Sequence, residues 1–327
     1  MKALVLESPG RFRVAERPEP DVGLDQVLVA PAYVGVCGTD LHIVDGLHPR
    51  ARFPLILGHE VVGVVASGPS AGAAVVVDPT ISCGTCSACR LGLDHVCENL
   101  RLVGIDRDGG LAERLVVDEA KLHPVPEGLT LEAAALAEPL AVAVHAVHRS
   151  GLGAASRVVV CGGGPIGLLT ALVAQAAGAT CVLVEPARPR RERARQLQVD
   201  VVADAAEAPG RLGGKADVAF DAAAVASVAL AMPGLVRPGG VVVVEGVYLA
   251  PVPVDLRQVT FGELSLVGTR VYAPPDIDAA LDLLARGAVD TAVVISEIVG
   301  FSDLTEALER LRRGDSLKVL VDSGGGR

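Results

Sequence analysis

Tryptophan is absent and aromatic residues make up only 2% of this 327-residue chain, so its cores must be built from Val, Leu, Ile and Ala. That shortage carries no functional message. Positive charge is also scarce: 29 Lys and Arg face 39 Asp and Glu, a formal net charge of −10. Such a surface does not neutralise phosphates, which argues against nucleic acid as a partner. The start, MKALVLESPGRF, lacks the long apolar run of a secretion signal, so a cytoplasmic location is expected. An unbroken membrane span is missing too. Val158 to Val184 is uncharged and long enough to cross a bilayer, but Gly162, Gly163, Gly164, Pro165 and Gly178 cut it into pieces of ordinary strand and helix length. No membrane partner is expected. The seven cysteines are an odd number in a large chain without a secretion signal, which points to metal or catalysis rather than disulfides.

What is present is most concentrated at Arg157 to Glu185, RVVVCGGGPIGLLTALVAQAAGATCVLVE. This reads as strand, turn, helix, strand and acid. In a dinucleotide site Gly162 permits the tight turn, Gly164 lets the backbone approach a pyrophosphate, and Gly167 lets helix and strand pack closely. Pro165 and Ile166 open the helix, whose N-terminus offers free N–H groups to the phosphates. Glu185 falls about 20 residues after the glycines, where a carboxylate can accept hydrogen bonds from the adenosine ribose. It disfavours the 2′-phosphate of NADP, so NAD is expected, while Arg188 just beyond it could reach a 2′-phosphate and keeps NADP possible; Arg190 is counted with the cofactor-binding residues but says little about the choice. Cys161 and Cys181 lie in the flanking strands with no partner motif and read as core thiols.

Upstream, KALVLE, FRVAERP and QVLVAPAYVG read as short strands of a β unit. Cys37-Gly-Thr39-Asp-Leu-His42 follows, and then Gly58-His59-Glu60. Singly, a Cys reads as a small buried hydrophobe and a His as a surface residue; together, a thiolate, an imidazole and a carboxylate suit zinc. Cys83-x2-Cys86-x2-Cys89-x7-Cys97 is the most specific signal in the chain. Four thiolates at this spacing can close a structural zinc site on a loop, although an iron–sulfur cluster uses similar ligands.

The Cys-x-Thr-Asp-x-His and Gly-His-Glu elements, with the cysteine lobe, resemble the zinc-dependent medium-chain alcohol dehydrogenases over nearly the whole chain. The stretch Val61 to Val77 departs from that pattern: it is short and has VASGPSAGAAVVVDP where the family has Gly-Asp-Arg-Val. The resemblance implies zinc rather than iron–sulfur in the lobe and two zinc ions per chain, one catalytic and one structural. Ala137-Glu138-Pro139 resembles the polyol, butanediol and threonine dehydrogenase branch, in which this acid replaces a cysteine of the catalytic site. The implied catalytic set is Cys37, His59 and Glu138, with Glu60 as an alternating ligand or a partner to the ligands; sequence leaves the choice between Glu60 and Glu138 open. A zinc with an open position would acidify a substrate hydroxyl and favour hydride loss to the dinucleotide. Thr39 would take the proton and pass it through the nicotinamide ribose to His42.

The expected fold is α/β: a Rossmann doubly wound parallel sheet over 151–274, and a mainly β GroES-like catalytic domain over 1–150 and 275–327 with its zinc lobe at about 80–100. The resemblance implies that the chain returns as a strand at the Gly109 to Glu113 stretch. Arg237 to Gly246 reads as a turn and a buried strand, and Phe261 to Thr269 as the last strand of the sheet. Asp278 to Arg286 and Leu304 to Arg313 have helical spacing, Lys318 to Val321 reads as a closing strand, and the Gly324 to Arg327 tail as frayed. The expected activity is interconversion of a secondary alcohol (polyol, sugar or cyclitol) and its ketone. The alternatives are an NADP-dependent carbonyl reductase and a non-catalytic zinc-stabilised protein of the same fold. A homo-oligomer, dimer or tetramer, is implied by the resemblance alone.

Overall fold

The structure is a computed structural model and describes residues 1–325. The chain divides into two units: Met1–Glu138 with Ala273–Arg286 and the chain from Val294 on, and Pro139–Tyr272 with Gly287–Val293. Helix Ala137–Ser150 is thus divided after Glu138 instead of falling whole in the first unit. Its far end is tied to the second unit, where the Arg149 guanidinium donates to the Gly268 carbonyl at 3.4 Å. Residues 326 and 327 of the expected frayed tail lie outside the described residues, while Ser323 just before it is buried.

The first unit is mainly β. Strand Gln26–Gly35 pairs antiparallel with Glu60–Val65 on one side and Lys318–Asp322 on the other. Gly35 stands opposite Glu60 in the first pairing and opposite Leu320 in the second, which brings residues from the two ends of the chain to one point. The shortened stretch still turns: Glu60–Val65 and Ala74–Val77 pair antiparallel, with Val61 opposite Val77 and Val64 opposite Ala74. Val61, Val62, Val76 and Val77 are each at most 1% exposed, so β-branched side chains fill this core without aromatic help.

The expected strand over Gly109 to Glu113 is shorter than the sequence suggests. Only Ala112 makes an isolated bridge, to Ala3, and the strand proper is Leu115–Asp118. The backbone at Gly109 lies so close to Gly58 that an added Cβ would stand 2.4 Å from the Gly58 carbonyl oxygen, and the N–H groups of Gly109, Gly110 and Leu111 donate to the Ile56, Gly58 and Leu57 carbonyls.

The second unit holds six parallel strands in the order Asp200–Val202, Thr180–Val184, Arg157–Cys161, Ala216–Asp221, Val236–Val244 and Ser265–Gly268. Numbered from Arg157–Cys161 along the chain this is the order 3-2-1-4-5-6, the dinucleotide-binding topology. Val158, Val159 and Val160 are at most 1% exposed, as a strand covered on both faces requires. The expected turn at Arg237 to Gly240 lies inside strand Val236–Val244 as a break in register: Val236 pairs with Ala216 and Val241 with Val218, Gly239 between them has φ +70°, and Arg237, Pro238 and Gly239 are exposed. Arg237 is held there by its ion pair with Asp217 at 2.6 Å.

Candidate active site and metal centre

In the first unit the chain enters helix Gly38–Val44 through Cys37, whose extended backbone (φ −105°, ψ 160°) places its side chain at the helix N-terminus. The Asp40 carboxylate turns back and accepts the Cys37 N–H at 2.8 Å through Oδ2. Its other oxygen, Oδ1, has no hydrogen-bond partner among the described residues and stands 3.6 Å from the equally unpartnered Nδ1 of His59. Both side chains are buried, at 4% exposure each. An imidazole with one nitrogen turned to a carboxylate is the arrangement of a metal-binding histidine.

One ligand atom from each of Cys37, His59 and Glu60 lies within 4.8 Å of the others. Glu60 opens strand Glu60–Val65 and is 1% exposed. Both of its oxygens accept from the Lys318 ammonium, at 2.7 and 2.6 Å, and the same Nζ donates to the Val36 carbonyl at 3.1 Å. There is room for the Glu60 side chain only because Gly35 opposite has none: a Cβ there would lie 1.9 Å from Oε2. Glu138, 7% exposed near the start of helix Ala137–Ser150, is not one of the three clustered donors. It is nevertheless close enough to act electrostatically on both His59 and Lys318.

The charge balance of this pocket suits a cation. Burial alone would lower the basicity of His59, yet Asp40, Cys37 and Glu138 together raise it well above the ordinary histidine value. Lys318 shows the same contest, with burial lowering and Glu60, Cys37 and Glu138 raising it, and ends above the usual lysine value. Burial raises the Asp40 carboxyl in turn. A thiol, an imidazole and carboxylates converging in a buried pocket, with one lysine as counter-charge, form a donor set of the kind that holds zinc with a position left open. Thr39 and His42 lie three residues apart on the same short helix and so share a face. The Thr39 hydroxyl is 3.8 Å from the Cys37 sulfur.

The ligand atoms of Cys83, Cys86, Cys89 and Cys97 form a second cluster, also within 4.8 Å of one another. All seven cysteines are free thiols. Cys86 stands 3.5 Å from Cys89 and 3.8 Å from Cys97. A tetrahedral zinc with bonds of about 2.3 Å sets its sulfurs about 3.8 Å apart, whereas a disulfide would bring two of them to about 2.05 Å. Backbone N–H groups point at the sulfurs: those of Cys83 and Asn99 reach Cys97 at 3.3 Å, and that of Cys86 reaches Cys83 at 3.4 Å. Such donors favour thiolates. With the Thr85 and Cys86 backbones aimed at it, the Cys83 thiol is lowered to about 5, while burial pushes Cys89 up to about 12.

In the second unit, helix Pro165–Ala176 starts behind Gly164 with Pro165 in its first turn. Gly162 has φ +110°, a turn that residues with a side chain rarely adopt, and a Cβ on Gly167 would lie 1.9 Å from the Gly162 carbonyl oxygen. Around Gly164 nothing stands within 4 Å of where a Cβ would be, so the loop is open there. Glu185 is 3% exposed and already engaged: Oε2 accepts the Gly163 N–H and Oε1 the Ala187 N–H, both at 2.7 Å. Arg190 stands 3.8 Å from Oε2, whereas Arg188 pairs along its own helix with Glu192 at 2.7 Å.

The sequence reading missed two groups of the metal pocket, Asp40 as a partner of His59 and Lys318 as a partner of Glu60. Asp40 was visible only as a spacer inside its motif. The available signal for Lys318 was a charged residue inside an otherwise apolar closing strand.

Residues 23–127 match the model of the alcohol dehydrogenase GroES-like domain, and residues 165–286 that of the zinc-binding dehydrogenases. The chain is 37% identical over 313 residues to 2-dehydro-3-deoxy-L-galactonate 5-dehydrogenase of Pseudoalteromonas atlantica, covering 91% of each chain. It is 32% identical over 340 residues to a sorbitol dehydrogenase of Halalkalibacterium halodurans, covering 98% of this chain and 99% of the other. Among solved structures, a zinc-binding dehydrogenase of Sinorhizobium meliloti bound to NADP superposes with a TM-score of 0.91 at 34% identity, covering 98% of each chain.

Proposed function

This chain belongs to the zinc-dependent medium-chain alcohol dehydrogenases, and on that premise we propose that it interconverts a secondary alcohol of a polyhydroxylated substrate (a polyol, sugar or sugar acid) and its ketone, exchanging hydride with NAD. The observation that carries this reading is the buried convergence of Cys37, His59 and Glu60, with the unpartnered Asp40 Oδ1 behind His59. The relatives named for galactonate-type and sorbitol substrates support the substrate class.

Cys37 and His59 would hold the catalytic zinc, with Glu138 completing the set from its helix. Glu60, whose two oxygens already share the Lys318 ammonium, is the alternating partner. When bound, zinc supplies a Lewis acid that polarises the reacting oxygen of the substrate. The Thr39 hydroxyl takes the proton of the alcohol, and His42, one helical turn on, delivers it towards water. Asp40 holds the imidazole of His59 in orientation. The four-cysteine cluster would hold a second zinc that closes its loop and reaches no substrate. Its free thiols suit a reducing compartment, and we take the cytoplasm as the place of action.

For the dinucleotide, Gly162 to Gly167, with Pro165 and Ile166 in the first turn, would receive the pyrophosphate, and Glu185 would face the adenosine ribose. The Glu185 carboxylate supports NAD. The NADP bound by the Sinorhizobium relative, together with Arg190 beside Glu185, supports NADP as the second reading. Apparent affinities for the two nucleotides decide between them. We further infer self-association. Val247, Leu249, Leu256 and Phe261 are each at least 64% exposed, and strand Ser265–Gly268 is an edge of its sheet with no outer partner among the described residues.

The test of the function is zinc-loaded protein offered NAD and a panel of polyols, sugars and sugar acids. The reading expects reduced-cofactor absorbance with at least one of them. No turnover on any secondary alcohol, at full metal content, would sink it.

A further inference from the structure

The second unit carries a second pair of acids that the proposed chemistry does not use. In the 3-2-1-4-5-6 strand order a dinucleotide lies across the carboxyl ends of the strands at the point where the order reverses. Its adenosine half falls on the side of Thr180–Val184, where Glu185 stands. Its nicotinamide half falls on the side of Ala216–Asp221 and Val236–Val244. Asp221 ends the first of these two strands, and Glu245 directly follows the second. The main chain locks the two ends together, since the N–H groups of Glu245 and Gly246 both donate to the Asp221 carbonyl, at 3.0 and 2.9 Å.

The two acids are supplied with hydrogen bonds very unequally. Asp221 accepts the N–H groups of Ala223 and Ala224, both at 3.0 Å, and the Tyr248 hydroxyl. Among the described residues Glu245 has one donor: the Thr170 hydroxyl on the helix behind the glycine loop, 3.2 Å from each carboxylate oxygen. Thr170 is itself fully buried. A carboxylate with one shared donor and an acid beside it is poorly stabilised as an anion.

We propose that Glu245 is an ionisable partner of the nicotinamide ring, neutral beside the uncharged reduced ring and ionised beside the positively charged oxidised ring. Binding of the oxidised dinucleotide then expels a proton from Glu245, and binding of the reduced form does not. The inference rests on the dinucleotide reading above. Glu245 is half-buried, and desolvation, partly offset by Thr170 and reinforced by Asp221, raises its carboxyl to about 8. The other titratable groups facing the pair do not compete. Burial and then Asp221 push the Cys161 thiol up to about 12, and burial and the bond to Asp221 raise the Tyr248 phenol further. Asp221 is the charged group that acts on Glu245 among the described residues.

Calorimetric titration of the zinc-loaded protein with oxidised or reduced dinucleotide, in buffers of different ionisation enthalpy, counts the protons released. At neutral pH the wild type should release up to about one proton more per oxidised dinucleotide than Glu245→Gln does. With the reduced dinucleotide the two proteins should match. The preference of the wild type for the oxidised over the reduced form should climb up to about tenfold per pH unit, relative to Glu245→Gln, as pH rises towards the ionisation range. Equal proton release by both proteins would overturn the proposal. Should Glu245→Gln fail to fold, Thr170→Val carries the test: loss of the single donor must move the proton-release profile to higher pH, and an unmoved profile overturns the proposal. If the wild type binds neither form, the functional reading has failed rather than this one.

Discussion

Replacing Lys318 by Met should unfold the first unit sooner, and by more when the metal is stripped. Lys318 and Glu60 are 2% and 1% exposed, with both carboxylate oxygens within 2.7 Å of the ammonium. Methionine keeps the length of the side chain and removes its charge, leaving Glu60 as a buried anion without its cation. Breaking a buried pair in this way costs about 3–5 kcal/mol. The Val36 carbonyl also loses its donor, but that loss lies within the same range. For a domain of this size each kcal/mol moves the midpoint by about 2–4 °C, so a drop of roughly 6–20 °C is expected in the metal-free protein. With zinc bound, the negative charge of Glu60 regains a positive neighbour and the drop should shrink. Scanning calorimetry of both proteins, with and without chelator, measures the difference. Adding Glu60→Gln to Lys318→Met should restore most of the loss, because the uncompensated charge disappears. A midpoint within 2 °C of the wild type in the stripped protein, or no rescue by the second change, would refute the reasoning.

Cys37→Ser should abolish turnover and remove one zinc per chain by elemental analysis while circular dichroism stays unchanged, whereas Cys86→Ser should remove the other zinc and lower thermal stability first. Equal structural loss in both would contradict the division into a catalytic and a structural site. Gly167→Ala places a Cβ 1.9 Å from the Gly162 carbonyl oxygen and should cost about 1–3 kcal/mol together with weaker dinucleotide binding; unchanged affinity by fluorescence titration would show that the helix can move away. Glu245 binds its proton more tightly in the folded chain than the ordinary value of 4.5, so the stability it confers is complete below that value and fades as pH rises through about 8. Denaturant melts over that window should therefore fall for the wild type relative to Glu245→Gln, and parallel curves would count against the shift. Phe261→Glu, at a position 84% exposed, should shift the mass measured by light scattering towards the monomer.

The parts of the protein legible in the sequence were those whose physics is local. The glycine turn, the cysteine lobe and the apolar strands each announce themselves within about 20 residues, because turn geometry, ligand spacing and burial act over short distances. The exact strand limits near Gly109 and Arg237 were less legible: the backbone at Gly109 packs against that of Gly58, far off in sequence, and the turn at Arg237 to Gly240 falls inside strand Val236–Val244. Nor were the partners of the site. Lys318 meets Glu60 across 258 positions of sequence, and Glu245 meets Asp221 only through parallel strand pairing. Register brings such residues together, and register is a property of the assembled sheet.

The placement of Gly35 between the strands of Glu60 and Lys318 bears on how the protein is made. A chain emerging from the ribosome presents Cys37, His59 and Glu60 close together, yet the lysine that compensates the buried acid follows Glu60 only 258 residues later. Until then Glu60 must stay in water, and the Tyr33 to Gly35 end of strand Gln26–Gly35 waits with one side unpaired. The strands of the parallel sheet, all within residues 157–268, are complete before that point and can fold first. Arrival of Lys318, rather than arrival of the metal ligands, thus sets the moment at which the metal pocket can close.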